Sequence, residues 1–180
     1  LHSLLFFMLG IASVIAALKY TIGENAYGYS GLGDVFVFLF FGLLSVLGSY
    51  YLLDHQMVWD LLLPASTIGF LSMAVLNLNN MRDIKNDAKN NKNTLVVSLG
   101  SSKAKIYHYV LICLAVLLTL LYSIINDHSI RQLIYVIAFL PLIINLVTVY
   151  KNKEPKLLDS ELKKVALSTF SFALLFGFFH

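Results

Sequence analysis

Asn79, Asp83 and Asp87 stand four residues apart, and on a helix that spacing places all three on one face. The row offers hard oxygen donors: two carboxylates and one amide. Mg²⁺ takes one or two carboxylates and completes its shell with water and phosphate oxygens. Arg82, Lys85, Lys89 and Lys92 are interleaved with these acids. Their charge neutralises an anion that two carboxylates alone would repel. Acids and bases together point to a metal-bridged diphosphate rather than to a bare cation. A D-x-x-x-D pair by itself also occurs on solvated helix surfaces. The amides of Asn77, Asn79, Asn80 and Asn86, set at the end of a long apolar run, separate this pair from that case.

The elements that position the row follow from composition. The chain has 180 residues, 58% hydrophobic and 13% charged, with a mean hydropathy of +0.77. Soluble domains carry roughly 25% charged residues, and here the apolar residues fall into long blocks. The expected fold is all-α, a polytopic transmembrane helix bundle forming one domain over residues 1–180. Six apolar segments are read, at about 1–18, 34–53, 60–81, 103–125, 131–150 and 165–179. Each is near the ~20 residues that span hydrocarbon, whereas spanning strands would be about half as long with alternating polarity. Ionisable groups at a membrane boundary are costly to place, which makes the island from Asn77 to Asp87 a functional-site hypothesis.

Six spans alternate the connecting segments between two faces. Twelve of the thirteen Lys and Arg residues, all but Arg131, then share one face, which the positive-inside rule assigns to the cytoplasm. Lys103, Lys105 and the basic stretch Lys151–Lys164 are accounted for by that rule alone. A formal charge of +3 gives no reason to expect a nucleic-acid partner. The single cysteine, Cys113, lies in an apolar run and has no disulfide partner within the chain. The chain begins at Leu1, inside an apolar segment and without a basic leader, and is expected to be the C-terminal part of a longer protein.

Residues 79–87, N-N-M-R-D-I-K-N-D, and residues 91–100, N-K-N-T-L-V-V-S-L-G, resemble the second Asp-rich motif of the UbiA-type membrane prenyltransferases. Residues 27–38, Y-G-Y-S-G-L-G-D-V-F-V-F, continuing to Tyr51, resemble a loop and helix of the same family. The likeness is strongest to the branch whose acceptor is 1,4-dihydroxy-2-naphthoate. It implies a bundle of nine helices in the inner membrane of a bacterium, of which the six segments correspond to helices four to nine. It further implies a polyprenyl diphosphate donor, Mg²⁺, diphosphate and CO₂ as products, and a role in menaquinone biosynthesis. Asp83 and Asp87 would bind the metal through the diphosphate, assisted by Asn79, Asn80, Arg82 and Lys92, with Tyr27 and Tyr29 bordering the acceptor.

The family's first Asp-rich motif, of the form N-D-x-x-D-x-x-x-D, is not in this sequence. The 180 residues alone are therefore expected to be inactive. Two other readings stay open. The acceptor is another aromatic ring such as 4-hydroxybenzoate, or the chain is a transporter or non-catalytic bundle. A transporter would carry its polar groups or broken helices near mid-span, and here the dense polar cluster sits at a helix end. His108, near the start of a span, is expected to be a buried or interfacial polar residue rather than a base. His55 and His128 fall on the opposite face.

Overall fold

The computed structural model describes residues 2–21, 27–126, 129 and 132–179. Glu24, Asn25, His128 and Arg131 lie outside the described residues, as does the side chain of Tyr27. Among the described residues every regular element is helical. Helix α1 spans His2–Thr21. It is followed by α2 (Gly33–Asp54), α3 (Trp59–Lys89), α4 (Leu95–Ile125), α5 (Gln132–Lys151) and α6 (Pro155–Phe179). The protein is a polytopic membrane helix bundle. Helices α2 to α6 are each long and apolar enough to cross a bilayer, whereas the qualifying apolar stretch of α1, Phe6–Tyr20, is shorter.

Two boundaries differ from those expected, for physical reasons. The stretch Lys151–Lys164, read as a basic loop, is mostly helix, because α6 begins at Pro155. Its lysines lower the local hydropathy without breaking the backbone, and Pro155 suits a first turn whose N–H has no partner to lose. Helix α4 likewise starts at Leu95, eight residues before the hydropathy rises. Thr94 caps it, its hydroxyl oxygen accepting the Val97 N–H at 3.2 Å. Gly100 then interrupts it with φ 77° and ψ 161°, a conformation open to glycine.

Helix α3 is the axis of the bundle and touches α2, α4 and α6. Small residues allow this. A Cβ added at Gly42 of α2 would lie 2.6 Å from the Gly69 Cα, so the two helices cross nearly backbone to backbone. The π-helical stretch Phe38–Leu44 lies at that crossing, and Phe38 packs on Gly69. Between α3 and α4 the hydroxyls of Thr67 and Thr119 bond at 3.0 Å. The Asn77 amide donates to the Ala104 carbonyl at 3.1 Å. Between α5 and α6, Phe139 stacks on Phe172, and Tyr135 meets the same ring edge-on. Cys113 is exposed on the outer surface of α4.

Candidate functional site

At 31 residues, α3 is roughly 46 Å long against a hydrocarbon core of ~30 Å. Its charged last turns, from Asn79 onward, stand beyond the spanning part. The helix continues unbroken to Lys89, so Asn79, Asp83 and Asp87 do share one face. The same end of the bundle gathers the other polar segments. The Asn93 N–H donates to the Tyr29 carbonyl at 3.0 Å, tying the loop before α2 to the loop after α3. Lys105 at the start of α4 donates to the Tyr150 carbonyl at 3.1 Å and the Asn152 carbonyl at 2.5 Å, closing the C-terminus of α5. Arg82 reaches Asp159 of α6.

Arg82 organises the acids. Its Nη2 donates to Asn79 Oδ1 at 2.8 Å and to Asp83 Oδ2 at 2.8 Å, while Nε donates to Asp83 Oδ1 at 3.0 Å. Nη1 donates to Asp159 Oδ1 at 2.7 Å. One planar guanidinium thus grips two residues of its own helix and one of α6, which its fixed fork of donors permits and an ammonium would not. These charge-assisted bonds hold the Asp83 carboxyl below the usual carboxylate range. A cleft of about 540 Å³ opens beside this group, lined by Arg82, Asp83, Lys85, Asn86, Lys156 and Asp159, with Glu154 and Pro155.

Asp87 is different in kind. It is 5% exposed, and Lys92 Nζ lies 3.5 Å from its Oδ1. Its Oδ2 is buried and has no hydrogen-bond partner within the protein. The Asp87 backbone carbonyl accepts the Lys92 N–H at 2.9 Å, and Asn91 takes φ 55°, so a tight left-handed turn folds Lys92 back onto the acid. Asn80 is also buried, and Tyr29 exposes 45% of its surface near the turn. Of the residues expected in the site, the structure brings Asn79, Arg82 and Asp83 into one hydrogen-bonded group and Asp87 with Lys92 into another.

Among the described residues no three His, Cys, Asp or Glu side chains form a cluster able to hold a metal ion unaided. The donor set nevertheless fits Mg²⁺. An orphaned, buried carboxylate oxygen on Asp87 is a hard ligand with nothing to satisfy it, and an ion needing only one or two protein carboxylates matches so incomplete a set.

Asp34 was not singled out by its sequence. It sits at the first turn of α2, is 6% exposed, and accepts the Tyr107 hydroxyl at 3.0 Å. Its signal was present, a lone acid opening an apolar segment. Asp159 gave none, since nothing local marks it as the partner of Arg82.

Residues 1–176 match the UbiA prenyltransferase family, and the chain belongs to that family. It is 41% identical over 169 residues to a 1,4-dihydroxy-2-naphthoate octaprenyltransferase of Haemophilus influenzae, covering 94% of this chain and 55% of that protein. It is 47% identical over 133 residues to the protein of the same name in Escherichia coli, covering 74% of this chain and 43% of that one. Against the protein of that name in Mycobacterium tuberculosis, identity is 40% over 110 residues, 61% of this chain and 38% of that one. The chain thus spans about half the length, or less, of the curated relatives it matches. No solved structure matches it.

Proposed function

We propose that this chain forms part of a membrane prenyltransferase that moves a polyprenyl group from its diphosphate onto 1,4-dihydroxy-2-naphthoate, in menaquinone biosynthesis. The observation that carries the reading is the pairing of two acids with two bases at one helix end. Arg82 is set on Asp83 and Asn79, and Lys92 on a buried Asp87 with a free oxygen. The naphthoate acceptor is favoured over 4-hydroxybenzoate because the similar proteins of three bacteria are 1,4-dihydroxy-2-naphthoate octaprenyltransferases.

In this reading Asp83 and Asp87 hold Mg²⁺, which supplies Lewis-acid neutralisation of the charge developing on the departing diphosphate. Asn79 and Asn80 assist in binding the diphosphate, Asn79 beside Arg82, to which it is bonded. Arg82 and Lys92 attract the diphosphate oxygens by charge, Arg82 with its fork already set on Asp83 and Lys92 as a point charge. The allylic C–O bond breaks, the ring carbon bearing the carboxyl group takes the prenyl carbon, and the carboxyl leaves as CO₂. Water must be kept away while the allylic carbon is electron-poor. Two apolar cavities, of about 710 and 660 Å³, lie where α2 faces α1. Their walls, among them Phe36, Phe40 and Leu44, suit a polyprenyl chain in chemistry. Tyr27 and Tyr29, in the loop bonded to the Lys92 turn, border the acceptor.

The basic residues cluster with the site at one end of the bundle, and the positive-inside rule assigns that end to the cytoplasm. The test is an assay of the full-length protein in membranes with polyprenyl diphosphate, Mg²⁺ and either acceptor. A prenylated naphthoquinol that needs Mg²⁺ is the expected product. Prenylated 4-hydroxybenzoate, with naphthoate unused, would overturn the acceptor assignment.

A further inference from the structure

A second polar group is buried between α4, α5 and α6, away from the acids on α3. His108, Asn145 and Glu161 are 0%, 0% and 2% exposed. His108 Nε2 lies 2.8 Å from Asn145 Oδ1. Asn145 Nδ2 donates to the Glu161 carboxylate at 3.0 Å and to the Glu161 backbone carbonyl at 3.3 Å. Lys164 Nζ closes the chain on the other carboxylate oxygen at 2.6 Å.

The orientation of every group is fixed by its neighbours. Glu161 presents only acceptors, so the Asn145 amide must turn its NH₂ toward α6 and its oxygen toward α4. His108 must then donate from Nε2, which leaves Nδ1 as the unprotonated nitrogen of a neutral ring. That nitrogen is buried without a partner. Burying such a chain is costly unless its hydrogen bonds offset the loss of water.

What the group grips is the clue to its use. Asn145 holds both the side chain and the backbone of Glu161, and therefore fixes the second turn of α6, where the α-helix proper begins, rather than a side chain alone. Two residues earlier on that turn is Asp159, whose carboxylate meets Arg82 at 2.7 Å. Asp159 is 54% exposed at its side chain, and an exposed ion pair holds little geometry by itself. Its position has to be set by the backbone that carries it.

We propose that Glu161 is a positioning residue of the acid–base site. Gripped by Lys164 and by Asn145, which His108 holds in turn, it fixes the second turn of α6 so that Asp159 holds the Arg82 guanidinium over Asn79 and Asp83. This rests on the reading that Arg82 and Asp83 bind the donor diphosphate. Glu161 touches no reacting group, and its effect reaches the site only through Asp159.

The test is a double-mutant cycle on the full-length protein in membranes, with Glu161→Gln, Asp159→Asn and the pair. Each single change is expected to raise KM for polyprenyl diphosphate about fivefold with kcat nearly unchanged, the pattern of lost ground-state binding. The pair should be no worse than the stronger single, because both act through one contact. Multiplying effects in the pair would overturn the proposal, as would an unchanged KM in Asp159→Asn. If Glu161→Gln fails to accumulate, Lys164→Ala, whose side chain is 37% exposed, takes its place in the same cycle under the same criteria. Donor-induced heat stabilisation of the wild type, measured with Mg²⁺, separates the two levels. A wild type not stabilised by the donor overturns the reading beneath the proposal, and a stabilised wild type with multiplying variants overturns Glu161 alone.

Discussion

The two sides of α3 are built differently. Toward α4 and α6 it is close-packed, and across its most apolar stretch 44% of the residues are buried, with 39% for α4. Toward α1, helix α2 buries only 6% of the corresponding stretch, exposes Leu39, Phe41 and Leu52, and borders both large apolar cavities. The packed side carries the polar networks, each anchored across helices: Thr67 to Thr119, Asn77 to Ala104, Asn145 to Glu161, Arg82 to Asp159. The open side carries aromatic rings and almost no charge. A polyprenyl diphosphate has the same division, a multiply charged anionic head and a long hydrocarbon tail. Rigid packing is needed where charge must be aimed within tenths of an ångström, and a loose aromatic flank serves a chain of many conformers.

If that division is functional, changes at the two sides should fail in different ways. The largest effect belongs to the acids. Asp83→Ala or Asp87→Ala should reduce prenyl transfer by ~1,000-fold or more, measured as labelled product formed by the full-length protein in membranes. Turnover within about tenfold of wild type would remove that acid from the site and leave the packed side with a structural role only.

The junction between the sides gives the next test. Gly42→Leu would force a side chain into a crossing where even a Cβ lies 2.6 Å from Gly69. Overpacking of this kind costs about 1–3 kcal/mol, read as a lower unfolding temperature in detergent. Donor affinity should fall with it, since α2 lines both apolar cavities. An unchanged melting temperature would mean that α2 moves freely against α3.

The open side should answer more gently and with chain-length dependence. Phe40→Ala removes a ring shared by both cavities. The expected result is a KM raised a few-fold for a long polyprenyl diphosphate and little changed for a short one, with kcat retained. Equal effects on both donors would place the tail elsewhere.

Which of these features could be read in advance depended on sequence distance. The i, i+4, i+8 row on α3 was legible because helical periodicity is local, and the helix does run through it. The turn Asn91–Thr94 and the cap at Thr94 were not read, because hydropathy placed the next segment at 103. The partner of Arg82 was not legible, because Asp159 lies 77 residues away and any acid at that end of the bundle would have looked the same. The His108–Asn145–Glu161 group was hidden for the same reason, each member reading as an isolated polar residue in or beside an apolar helix. The start of α6 was misplaced because hydropathy marks where a helix enters hydrocarbon, not where its backbone begins to turn.

The smallest effect tests that last distinction at α4, which also begins before its apolar run. Thr94 is 3% exposed and its hydroxyl oxygen satisfies the Val97 N–H at 3.2 Å. Its own N–H donates to the Lys92 carbonyl at 3.0 Å, so the cap and the residue facing Asp87 belong to one turn. Thr94→Ala should cost about 1 kcal/mol, a drop of a few degrees in the unfolding temperature, whereas Thr94→Ser should restore most of it because the hydroxyl remains. The functional change is expected to be confined to donor KM, by about twofold, since Lys92 would be held less firmly while the acids on α3 keep their helix. A fall in kcat as large as that of Asp87→Ala would instead mean that the turn itself forms the reacting site, and the chemistry would then have to be moved from the end of α3 to the loop that follows it.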